Sequence, residues 1–129
     1  MAEQAPRNAI NWFEIPTRNI DRSKQFYEAI LEMPLARNDM GDYKMAIFPS
    51  DPQHGAGGCL AQGEGAVPGV EGGTMIYLNA EPSLDAVLSR VERAGGKIAI
   101  PRTEIGGGHG FFAHILDPEG NRVGLHAMN

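Results

Sequence analysis

Glu14 and His126 are the residues whose type and setting best suit proton chemistry. Glu14 follows Trp12 by two in the segment Ala9-Ile10-Asn11-Trp12-Phe13-Glu14-Ile15. His126 follows Gly124 by two in Arg122-Val123-Gly124-Leu125-His126. Residues two apart on a β-strand share a face, so Trp12 and Glu14 lie together, opposite Phe13 and Ile15. A carboxylate beside an indole suits a general base in an apolar wall, and it equally suits a rim carboxylate satisfied by water or an arginine. An imidazole close to a chain end is a partner acid or a surface histidine. As metal ligands these two alone would hold an ion weakly, and no His-x-His or His-x-x-x-His cluster accompanies them.

The remaining candidates are weaker. His114 sits between Phe112 and Leu116, where a hydrogen-bonded core histidine is as good a reading as a catalytic one. His109 in GGGHG and His54 in PQHG are loop residues, although a glycine loop such as that around His109 can serve as a lid. Alternation puts Tyr77 and Asn79 on one face of a strand, and Ile76, Leu78 and Ala80 on the other. Gly106-Gly107-Gly108 does not follow a strand and open a helix in the manner of a phosphate cradle. No Ser/His/Asp order stands out and Cys59 has no base beside it, so nucleophilic catalysis is unsupported.

The elements that position these residues follow from periodicity. A strand over 9–15 ends at Pro16, Thr17 to Asp21 forms a polar helix entry, and Phe26, Tyr27, Ile30 and Leu31 make one apolar helical stripe that Pro34 stops. Short strands are expected at 35–38, 43–48 and 59–61. Residues 63–73 hold five glycines and one proline and read as a linker. The order then starts again. A strand over 74–79 precedes a helix opened by Pro82 and Ser83, with Leu84, Val87, Leu88 and Val91 as its buried stripe and Gly95-Gly96 as its terminator. A strand over 97–100 and a glycine loop over 105–110 lead to a hairpin, Phe111 to Leu116 and Arg122 to His126, around the turn Asp117-Pro118-Glu119-Gly120-Asn121. The chain therefore reads βαβββ, linker, βαβββ.

Composition narrows the function. The chain of 129 residues carries a net charge of −5 without a basic cluster, which argues against nucleic acid or an anionic membrane surface as partner. One cysteine cannot form an internal disulfide, as expected of a cytoplasmic protein. No apolar run is long enough to span a bilayer, and the first residues, MAEQAPRN, lack a signal-peptide core and read as a loose tail.

The repeated order, together with WFEIPTRNIDRSKQFYEAIL, YLNAEPSLDAVLSRVERAGGKI and FFAHILDPEGNRVGLH, resembles the vicinal oxygen chelate superfamily of glyoxalase I, bleomycin-resistance proteins and extradiol dioxygenases. The resemblance implies an α+β fold in which two tandem βαβββ modules form one cup-shaped open barrel with the helices outside. It implies a single glyoxalase-like domain over 8–127, with module one at 8–62, module two at 74–127 and the linker at 63–73. It also implies a divalent metal in the cup, with early ligand slots at Trp12 and Met75 and late slots at Gly124 and near Gly58 to Leu60. Cys59 apart, none of these side chains can ligate such an ion, so the expectation is a relative with no metal and no cofactor. Trp12, Tyr77, Asn79 and His109 are then expected to bind a small molecule inside the cup, and a homodimer is implied. Two functions remain open. One is a metal-independent lyase or isomerase acting next to a carbonyl, with Glu14 and His126 catalytic. The other is non-catalytic sequestration of a small molecule, as in drug resistance.

Overall fold

The structure is a computed structural model and describes residues 7–70 and 72–129, so most of the N-terminal tail lies outside the described residues. The elements run β1 (Ile10–Pro16), α1 (Ile20–Leu31), β2 (Ala36–Arg37), β3 (Lys44–Ile47), β4 (Gly57–Gln62), β5 (Met75–Asn79), α2 (Leu84–Val91), β6 (Lys97–Glu104), β7 (Phe111–Leu116) and β8 (Arg122–Ala127). This is βαβββ twice, as the periodicities require. The chain divides into two compact units, Trp12–Met75 and Ile76–Asn129, the second including the described residues before Trp12.

In the first unit the strand order is β2-β3-β4-β1, with β1 parallel to β4. Asn19 caps α1 by accepting from the Arg22 N–H at 3.0 Å. The helix ends at Leu31, three residues before Pro34. Glu32 takes a left-handed conformation (φ 55°) and donates its N–H to the Glu28 carbonyl, so the reversal is set before proline is reached. The Glu28 carboxylate then accepts from the Leu35 N–H, which, with Lys24, holds its pKa below the usual range. Ile20, Leu35, Ala46 and Leu60 form the core under α1, with Ile15, Tyr27 and Phe48 against it. The apolar stripe of α1 is only partly covered: Phe26, Ile30 and Leu31 are exposed, as is Met33 beyond the helix.

The second unit repeats this arrangement with the order β5-β8-β7-β6, and β5 is parallel to β8. Ser83 caps α2 by accepting from the Ala86 N–H. Gly95 at φ 106° and a bond from the Gly96 N–H to the Val91 carbonyl end it. Ala80, Leu84, Ala113, Leu125 and Ala127 form the core, flanked by Val87, Leu88, Phe111 and Ile115. β6 runs on past Pro101 to Glu104, longer than periodicity suggests, because an edge strand tolerates a proline. The hairpin turn is held by Asp117, whose carboxylate accepts from the Asn121 side chain and from the backbone N–H groups of Glu119 and Asn121. Those bonds keep its pKa low. Residues before Trp12 are sewn into this unit: the Asn79 N–H donates to the Ala9 carbonyl and the Asn79 amide to the Asn8 carbonyl. No described helix is long and apolar enough to cross a membrane.

Candidate functional site

Each unit has a sheet face turned away from its helix, and the chemistry-bearing residues collect there. In the first unit this face is built from Met45, Cys59 and Ala61, with Trp12, Tyr43 and Ile47 packed against them. Glu14 lies on it as the alternation of β1 predicts, and Phe13 contacts Phe48 on the helix side. The Tyr43 hydroxyl donates to Glu14 Oε1 at 3.1 Å. Burial, and then the negative charge of Glu14, push the Tyr43 pKa upward. The phenol is therefore a proton donor that holds the carboxylate, not a base. Cys59 beside them is fully buried, and burial followed by the Glu14 charge raises its thiol to about 12. A thiol so placed is an inert core residue.

In the second unit the corresponding face carries Tyr77 and Asn79 from β5, Phe112 and His114 from β7, and Arg122, Gly124 and His126 from β8. The Tyr77 hydroxyl and His114 Nε2 are 2.8 Å apart, and Arg122 Nε donates to His114 Nδ1 at 3.3 Å. A guanidinium can only donate, so Nδ1 is the acceptor and Nε2 carries the hydrogen that goes to the tyrosine oxygen. Burial, reinforced by the Arg122 charge, lowers the His114 pKa to about 4. His114 is thus a neutral, doubly bonded imidazole.

His126 is engaged at both ring nitrogens. Asn11 Nδ2 donates to Nδ1 at 2.9 Å, which leaves the hydrogen on Nε2 to reach the His109 carbonyl at 2.8 Å. Through that bond His126 holds the glycine loop, in which Gly106, Gly107, Gly108 and Gly110 all adopt positive φ. His54 pairs with Asp51 in an exposed loop. Tyr43, Asn11 and Arg122 are the participants that sequence reasoning missed. Tyr43 and Asn11 touch residues 29 and 115 positions away, beyond the reach of any periodicity.

The slots that the resemblance assigns to metal ligands do not fit a divalent ion. Of those slots, Trp12 pairs with Gly57 in the first unit and Gly124 pairs with Tyr77 in the second. In each case an aromatic ring lies over a glycine. A Cβ on Gly57 would come within 3.0 Å of the Trp12 ring, and one on Gly124 would collide with Tyr77. Rings thus fill the space a ligating side chain would need. Among the described residues no three of His, Cys, Asp and Glu converge to hold a metal.

Comparisons with solved structures agree on the fold. The chain is similar to a variant of Streptomyces coelicolor methylmalonyl-CoA epimerase in complex with 2-nitronate-propionyl-CoA, with TM-score 0.68 and 16% identity over 92% of this chain and 93% of that one. It is similar to a hypothetical protein from Bacillus halodurans C-125, with TM-score 0.69 and 13% identity over 93% and 94% of the two chains. It is also similar to methylmalonyl-CoA epimerase from Mycobacterium tuberculosis, with TM-score 0.67 and 15% identity over 94% and 88%. No curated protein matches the chain. The repeated βαβββ order is accounted for by a family model that matches residues 9–125, and by that match the chain belongs to the Glyoxalase/Bleomycin resistance protein/Dioxygenase superfamily.

Proposed function

We propose that this protein is a metal-independent lyase or isomerase that removes a proton from a carbon next to a carbonyl, with Glu14 as the base. The observation that carries the reading is the Tyr43–Glu14 hydrogen bond of 3.1 Å beside the apolar cluster of Met45, Cys59, Ala61, Trp12 and Ile47. A carboxylate fixed by a phenol in such surroundings is a positioned base. In the step, a Glu14 oxygen takes the proton and the C–H electron pair moves onto the carbonyl as an enolate. Return of the proton to another atom or face, or loss of a leaving group from the next carbon, completes the reaction. Trp12, on the same face of the first unit as Glu14, is assigned to substrate binding, and Tyr77, Asn79 and His109 are assigned to small-molecule binding on the second unit by itself. His126 acts through the glycine loop it holds.

Several similar structures are methylmalonyl-CoA epimerases, which supports a small carbonyl compound as the substrate class. A free, buried cysteine suits a cytoplasmic location. The exposed Phe26, Ile30, Leu31 and Met33 suit a homodimer.

The test is solvent-deuterium exchange into a panel of small carbonyl compounds, followed by proton NMR with a chelator present. Exchange by the native protein that falls at least about a hundredfold in Glu14→Gln is the expected result. Binding without exchange for every compound bound assigns the protein to sequestration instead. Exchange that needs added divalent metal overturns the metal-independent step.

A further inference from the structure

We propose that Arg122, held in place by His114, anchors a small-carboxylate binding site on the sheet face of the second unit. This goes beyond the proton-transfer reading and holds whether or not Glu14 acts as a base.

The other well-fixed arginines of this acidic chain have anionic partners. Arg37 bonds to Asp21 and Asp39, and Arg102 lies 3.8 Å from Asp85 with its guanidinium over the Phe111 ring. Arg122 differs. Its Nε donates to an imidazole, and among the described residues it makes no ion pair. A neutral ring orients the guanidinium without cancelling its charge. With Nε engaged, the two Nη groups are the remaining donors, and a planar two-oxygen acceptor is the shape that matches such a fork.

The surroundings define the rest of the ligand. Tyr77, Phe112 and His114 form a cluster of rings, with centroids 6.4 Å apart for Tyr77 and Phe112 and 5.5 Å apart for Phe112 and His114. Gly124 leaves room for Tyr77 to lie across β8, which a larger residue would not allow. Tyr77 is buried, so the half-buried Phe112 and His114 supply the ring surface near the exposed guanidinium, and such a surface accepts a carboxylate with a flat or branched apolar body. His114 is the positioning residue, because its two bonds fix both the tyrosine hydroxyl and the arginine.

The experiment is a titration of the full-length protein with benzoate, and separately with benzamide, its uncharged analogue, followed by amide and histidine NMR signals. Benzoate is expected to shift His114, Phe112 and Gly124 saturably, and benzamide to leave them unmoved. Arg122→Gln should weaken benzoate at least about tenfold, Arg122→Lys should fall between, and Arg93→Gln should bind as the native protein does. Equal response to benzoate and benzamide, unchanged benzoate affinity in Arg122→Gln, absence of saturable shifts at these residues, or shifts that map elsewhere would each overturn the site. The Arg122→Lys arm retains the charge and serves if the glutamine variant misfolds. Glu14→Gln should abolish deuterium exchange while keeping benzoate binding, so failure of one proposal is read separately from failure of the other.

Discussion

Replacing His114 by glutamine should remove much of the protein's loss of stability in mild acid. The unfolded imidazole titrates near its ordinary value of about 6.5, and the folded one near about 4. Between those values the unfolded chain binds more protons than the folded one, so stability at this site is complete above pH 6.5 and declines as pH falls toward 4. Fully realised, a difference of about 2.5 units at about 1.36 kcal/mol per unit would be about 3 kcal/mol. His114 is only partly buried, and solvent screening reduces the expected loss to about 1–2 kcal/mol. The groups facing it are the Tyr77 hydroxyl, the Arg122 guanidinium and the Phe112 ring, of which only Arg122 is charged at these pH values. Urea unfolding of both proteins from pH 7.5 down to 4.5 measures the effect, because every other titration cancels in the difference. Glutamine still reaches Tyr77 without titrating, so the two stability curves should converge as pH falls. Parallel curves, or a His114 NMR titration centred near 6.5, would refute the reasoning.

Other expectations test separate parts of the structure. Tyr43→Phe removes the donor to Glu14 and should lower stability by about 1–2 kcal/mol in urea unfolding, with slower deuterium exchange if Glu14 is the base. Gly124→Ala forces a methyl group against Tyr77 and should cost about 1–3 kcal/mol, a cost that should disappear when the same change is made in a Tyr77→Ala background; both are read from denaturant midpoints. Cys59 should resist a thiol reagent at pH 8 in the folded protein and react at once in denaturant. Asn19→Ala should lower stability by about 1 kcal/mol through loss of the α1 cap, again measured by urea unfolding.

The alternation of residues in β1 was enough to separate Trp12 and Glu14 from Phe13 and Ile15, because the pleat sends successive side chains to opposite faces and only one of those faces packs under α1. The turn at Asp117 was equally legible, since its bonds join residues within four positions of one another. Burial was harder to read. The α1 stripe is a genuine helical pattern, yet Phe26 and Ile30 are more than half exposed, because a hydrophobic face states a preference and not what covers it. Ile76 and Leu78 on β5 are exposed for the same reason. Nor does any local signal connect Glu14 with Tyr43, or His126 with Asn11. Those contacts depend on strand register, which is a property of the folded chain.

The seam that Asn8, Ala9 and Asn11 make with β5 and β8 bears on how this protein should be prepared. A shortened version beginning at Trp12 would keep every strand residue of the first unit, yet deprive Asn79 of two acceptors and His126 of a donor. The damage would surface far downstream, at the glycine loop around His109, in an expression product that looked intact by its strand content.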